Sequence, residues 1–110
     1  MKNILYWMLC GTRGGATRTR ILELIKDNPE NANKIAGMLK LDYKTVRHHL
    51  DMLLKHRLII NTGDGYGAVY SLSEELQANI HVFYEICNKV KKVGRGIVYN
   101  TQKTNEMEMR

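Results

Sequence analysis

Cysteine is scarce in this 110-residue sequence, which holds two, Cys10 and Cys87. They form neither a Cys-x-x-Cys pair nor a disulfide framework, so both read as reduced, small apolar residues. No long hydrophobic run occurs. The N-terminal stretch Ile4 to Cys10 spans seven residues, shorter than a signal-peptide core and far below the roughly 20 that a membrane-spanning helix needs. A cytoplasmic location without a membrane partner is therefore expected. Acidic residues are in deficit, 11 against 17 Lys and Arg, for a net charge of +6. That imbalance favours a polyanion, nucleic acid ahead of anionic membrane, because neutralising phosphates releases condensed counterions. Internal repeats and low-complexity blocks are also missing.

The chemistry of enzymes is missing too. No paired carboxylates, no nucleophile with a base and no cofactor loop stand out, which excludes a catalytic reading and leaves no cofactor to assign. The segment GTRGG (Gly11 to Gly15) has the glycines of a phosphate-cradling loop but neither the following Lys-Ser/Thr nor a preceding strand. It reads as a hinge. His81 and Glu85 lie four residues apart, two ligands where a zinc site needs three or four, and the adjacent His48 and His49 point about 100° apart on a helix, so no metal site is assigned.

What is present is ordinary globular composition, 44% apolar and 25% charged, in a length that suits one domain. Ile4, Leu5, Met8 and Leu9 fall at helical spacing, and Tyr6 and Trp7 widen that face. A second helix is predicted from about Ala16 to Asp27 on Ile21, Leu24 and Ile25, with Asn28 and Pro29 ending it. Asn31 caps a short third helix running to about Leu39. Asp42 caps a fourth, DYKTVRHHLDMLLKH, whose Val46, Leu50 and Leu53 must face inward. Two β-rich runs follow, Leu58 to Thr62 and Ala68 to Leu72, joined by Gly63, Asp64, Gly65, Tyr66 and Gly67, a hairpin signal. Ser73 then caps a helix predicted to end near Lys91, with Leu76, Ile80, Phe83, Cys87 and Val90 as a heptad seam.

The order of elements predicts a mainly α chain with a small β-hairpin wing, a winged helix-turn-helix dimeric through its terminal helices. Residues 1–15 form a dimerisation helix and glycine-rich link, 16–72 the core, 73–91 a second dimerisation helix and 92–110 a flexible tail. Residues 31 to 57 carry six basic side chains (Lys34, Lys40, Lys44, Arg47, Lys55, Arg57) and two acidic ones (Asp42, Asp51). The helix over about 42–56 is expected in the major groove of double-stranded DNA, and the wing over about 58–72 near the backbone or minor groove. Candidate DNA contacts are Tyr43, Lys44, Thr45, Arg47, His48, Lys55, Tyr66 and Arg18. Within that set Arg47 suits a guanine edge and Lys44 a phosphate, and Arg18 or Arg13 would meet a phosphate near the start of the second helix. Leu5, Trp7, Leu76, Ile80, Phe83, Cys87 and Val90 offer more apolar surface than so small a core covers, which predicts a homodimer. The alternative reading is a winged-helix protein–protein interaction module of the transcription apparatus.

The segment LDYKTVRHHLDMLLKHRLI, with GTRGG before it and GDGYGAVYSLS after it, resembles the ArsR-like winged-helix regulators, particularly their archaeal members, over about residues 4 to 90. The resemblance implies a homodimeric DNA-binding transcription factor with recognition residues Tyr43, Lys44, Thr45, Arg47 and His48. Metal-sensing members carry a Cys-x-Cys at the motif or an Asp/His set on the last helix. Neither is present here, and the resemblance does not by itself imply a small-molecule effector; none is evident in the sequence.

Overall fold

The computed structural model describes residues 1–96 of the chain. Helix α1 (Lys2–Cys10) buries Leu5, Met8 and Leu9 and stops at Gly11. Helix α2 (Gly15–Asp27) starts so close to it that a Cβ on Gly15 would lie 2.2 Å from the Leu9 carbonyl oxygen. Only glycine lets the two backbones meet there, which explains one of the glycines of GTRGG by contact rather than by hinge motion. Strand β1 (Glu30–Asn31) leads into α3 (Ala32–Leu39), where the Asn31 side chain accepts from Lys34 N as the expected cap.

Helix α4 (Tyr43–Lys55) follows a short turn and is capped by Asp42, whose carboxylate accepts from Thr45 N at 3.2 Å. Helices α3 and α4 end with the same device. Lys40 and Arg57 take the left-handed conformation (φ 58° and 62°), and the next amides, Leu41 and Leu58, donate to Ala36 O and Leu53 O. That bond closes a Schellman motif in which glycine is the usual residue. Strand β2 (Ile59–Thr62) and β3 (Val69–Leu72) form the wing, paired antiparallel from Ile59↔Leu72 to Thr62↔Val69. A single 3-10 turn over Gly65–Gly67 lies at the tip, and Gly63 has φ 89° where the chain leaves β2.

The sheet has the order β1-β3-β2, with Glu30 opposite Tyr70. Strand β1 was not foreseen: two residues carry no alternation, and their pairing is with the distant β3. The last helical stretch also differs from expectation. It is two helices, α5 (Glu74–Ala78) and α6 (Ile80–Gly96), separated at Asn79, whose side-chain amide donates to Glu75 O. An Asn that bonds the preceding turn competes with the helical ladder. Helix α6 runs past Lys91 to Gly96, so the first part of the expected tail is helical; residues 97–110 lie outside the described residues.

Helix α1 packs against α2 and α6, while α4 packs against α3 and β2. One core joins them, with Leu5, Met8, Ile21, Leu22, Ile25, Ile35, Val46, Leu50, Leu53, Leu76 and Phe83 fully buried. The chain has the winged helix-turn-helix fold, mainly helical with a small antiparallel sheet. No helix among the described residues is long and apolar enough to cross a membrane.

Candidate nucleic-acid interface

Helix α4 divides its surface by period. Val46, His49, Leu50 and Leu53 are buried, whereas Lys44, Thr45, His48, Asp51 and Lys55 are exposed. Lys44, His48, Asp51 and Lys55 recur at four, three and four residues and so share one stripe. Thr45 lies in the first turn, its backbone N–H capped by the Asp42 carboxylate and its side chain exposed. Lys55 is on the stripe but about 16 Å further along the axis from Lys44, at 1.5 Å per residue. The exposed set that comes together at the helix start is therefore Lys44, Thr45 and His48.

Two expected members sit differently. Tyr43 is half-buried against the core rather than facing outward. Arg47 is also half-buried: its Nη1 donates to the Tyr70 hydroxyl at 2.9 Å, and its Nη2 is 3.5 Å from Asp51 Oδ1. The side chain of Tyr66, at the wing tip, lies outside the described residues. Sequence reasoning did not single out Tyr70, although its place two residues from Leu72 on a strand puts both on the inward face.

Arg18 is a correction. It is 4% exposed, with its guanidinium turned to acceptors inside the protein rather than toward a phosphate at the surface. Its Nε donates to Met8 O at 3.1 Å, its Nη2 to Thr12 Oγ1, and its Nη1 lies 3.1 Å from His49 Nδ1. One guanidinium therefore ties the end of α1 and the glycine-rich link to α4. The available signal was spacing, since Arg18 precedes Ile21, Leu22 and Ile25 by three, four and seven residues and so lies on their stripe. A guanidinium stays protonated, so Nδ1 of His49 must accept, and the ring is neutral with its proton on Nε2. Burial holds the Arg18 pKa below its ordinary value. Burial, then the charge of Arg18, then that of His48, hold the His49 pKa below its ordinary value. Arg13 is exposed.

The expected dimer seam is corrected in part. Leu5, Leu76, Phe83 and Cys87 are buried in the chain's own core, so their apolar surface is already covered. Ile80 is half-buried, the Val90 side chain lies outside the described residues, and Trp7 is 48% exposed, with its ring edge-on to His56 at 5.6 Å. Tyr84, not foreseen, is also exposed. Cys10 is exposed rather than packed, unlike Cys87. No group of three or more metal-ligating side chains occurs among the described residues, where His81 and Glu85 are both exposed.

This arrangement defines a winged helix-turn-helix with an exposed polar and basic start to its second motif helix. Residues 15–61, from α2 into β2, match the family model described as bacterial regulatory protein, arsR family. The match supports the ArsR resemblance across the motif and carries nothing about archaeal membership. No curated protein matches the sequence. Among solved structures, the chain is similar to reduced HlyU from Vibrio cholerae, with a TM-score of 0.55, 17% identity and coverage of 89% of this chain and 90% of that one. It is similar to the homodimeric winged helix-turn-helix DNA-binding domain of Mb0332 from Mycobacterium bovis, a possible ArsR-family regulator (TM-score 0.62, 16% identity, 83% and 80% covered). BpsR of Bordetella bronchiseptica, whose DNA binding is regulated by 6-hydroxynicotinic acid, is a third (TM-score 0.64, 15% identity, 90% and 73% covered). At these identities the likeness is one of fold.

Proposed function

We propose that this protein is a sequence-specific double-stranded DNA-binding transcriptional regulator that acts as a homodimer, in the cytoplasm with the genome. The observation that carries the reading is the exposure of Lys44, Thr45 and His48 at the start of α4, beside a wing built from β2 and β3. In this fold the N-terminal half of the second motif helix meets base edges in the major groove. Lys44 takes a phosphate, Thr45 and His48 take phosphate or base edges, and Arg47 offers a guanine edge the donors that Tyr70 and Asp51 leave free. Lys55, at the far end of the stripe, meets the flanking backbone, and the wing with Tyr66 lies along the backbone or minor groove. The arsR-family match over α2 to β2 supports the same reading.

Homodimerisation proceeds through the terminal helices, with Trp7, Ile80 and Val90 remaining from the sequence-based set and Tyr84 added to it. The DNA-binding domain of Mb0332 is described as homodimeric. The reading assigns no catalysis, metal or effector. Selection of bound duplexes from a random-sequence pool, followed by binding of the selected duplex across a salt series, tests it. An enriched, two-fold-symmetric sequence with salt-dependent affinity is expected. Failure to retain any duplex at low salt refutes DNA binding and turns attention to a protein partner.

A further inference from the structure

Tyr70 is 1% exposed and sits on β3, the central strand, paired with Glu30 on one side and Asn61 on the other. Its backbone is held between two neighbouring strands, and its ring is buried. Its hydroxyl accepts from Arg47 Nη1 at 2.9 Å, and Asp51, one helical turn beyond Arg47, holds Nη2 at 3.5 Å. The bond crosses from the wing sheet to the second motif helix. A buried tyrosine ring normally finds a partner for its hydroxyl, and here that partner is the arginine best suited to a guanine edge.

We propose that Tyr70 is a specificity-determining positioning residue: from the wing strand it fixes the Arg47 guanidinium on the DNA-facing helix, so that the remaining fork donors are aimed before DNA arrives. This rests on the DNA-binding reading and adds to it a residue that touches no DNA. A guanidinium has five N–H donors, and using two on Tyr70 and Asp51 leaves three. Bidentate recognition of guanine O6 and N7 needs two of those in a fixed plane. A free arginine on an exposed helix samples many rotamers, and a side chain locked by a second residue reads its target with less loss of entropy. Arg47 is hydrogen-bonded to the wing strand through its side chain, and Lys44 and His48 suit less selective contacts.

The test uses the full-length chain and two duplexes, one selected by the wild type from a random pool and one unrelated. Tyr70→Phe keeps the buried ring and removes the hydroxyl. It is expected to lower the selected-to-unrelated affinity ratio about three- to tenfold, with the unrelated affinity and the salt slope unchanged. Arg47→Ala lowers the same ratio about five- to hundredfold, and Tyr70→Phe has no further effect in that background. A wild type that selects no duplex removes the DNA-binding reading and this proposal with it. A wild type that selects one, while Tyr70→Phe retains the ratio or lowers it equally in the Arg47→Ala background, removes this proposal alone.

Discussion

Arg18 and His49, 31 positions apart, meet inside the protein with Nη1 and Nδ1 separated by 3.1 Å. The pair joins the α1–α2 junction to the helix that carries the candidate DNA contacts. Among the described residues the Arg18 acceptors are the Met8 carbonyl, the Thr12 hydroxyl and the His49 ring, none of them a carboxylate. A second positive charge at His49 would face the guanidinium directly, with His48 adjacent on the same helix.

The first prediction is an acid-sensitive fold. The His49 pKa is lower folded than unfolded, so as pH falls through about 6.5 the unfolded chain takes up a proton that the folded chain resists. Stability present above that pH is lost below it, by at most about 1.4 kcal/mol per pH unit for one proton. Urea unfolding between pH 7 and 5, above the range of ordinary carboxylates, should show this decline. His49→Asn, which keeps an acceptor near the Nδ1 position and cannot be protonated, should flatten it. A decline of the same steepness in that variant would assign the proton elsewhere.

A second prediction concerns the α1–α2 contact. Gly15→Ala puts a methyl where only 2.2 Å separates it from the Leu9 carbonyl oxygen, and the contact is backbone, which cannot swing aside. Overpacking of this kind costs about 1 to 3 kcal/mol, against about 0.4 to 1 kcal/mol that alanine gains at an unstrained site by restricting the unfolded chain. Thermal unfolding of the variant measures it. A melting temperature equal to or above wild type would mean that the two helices do not approach as closely as described.

The helices of the motif were legible because their ends are written in single residues: Asn31, Asp42 and Ser73 each accept the capping bond that their position promises. The wing was legible from its glycines and alternating strands. The exposed face of α4 was legible where helical period fixes exposure, as for Lys44 and His48. Arg18 departs from the phosphate contact that its charge suggests because it lies on the Ile21, Leu22 and Ile25 stripe, and the cost of burying it is offset by partners 6 to 31 residues away. The seam through Leu76, Phe83 and Cys87 shows the complementary limit. A four-three spacing states that a face is buried, and nothing in it distinguishes a second chain from the chain's own α1 and α2.

Burial decides which seam positions can test the dimer. Phe83 is fully buried, so a charge there would unfold the protomer rather than separate two of them. Trp7 and Tyr84 are about half exposed, and charges at both sites are expected to leave the melting transition of the protomer cooperative. Trp7→Glu with Tyr84→Glu should shift the sedimentation mass from dimer to monomer at micromolar concentration. An unchanged dimer mass would place the two-fold interface away from these side chains.

The last prediction separates contact from support along α4. Lys44 is exposed near the helix start, and its ammonium is a flexible point charge suited to phosphate. Its removal should weaken selected and unrelated duplexes alike and reduce the slope of log affinity against log salt by about one unit, the share of one neutralised phosphate. Val46, two residues on, is fully buried and shares its inward stripe with Leu50, one turn further, and Leu53, two turns further. Val46→Ala should cost about 0.5 to a few kcal/mol of stability through the cavity it leaves, and lower binding only by the fraction unfolded. Binding by anisotropy at several salt concentrations, with the folded fraction measured in the same buffers, distinguishes the two. If Lys44→Ala retains the wild-type salt slope on both duplexes, the start of α4 does not meet the backbone, and the exposed face of this helix has another partner.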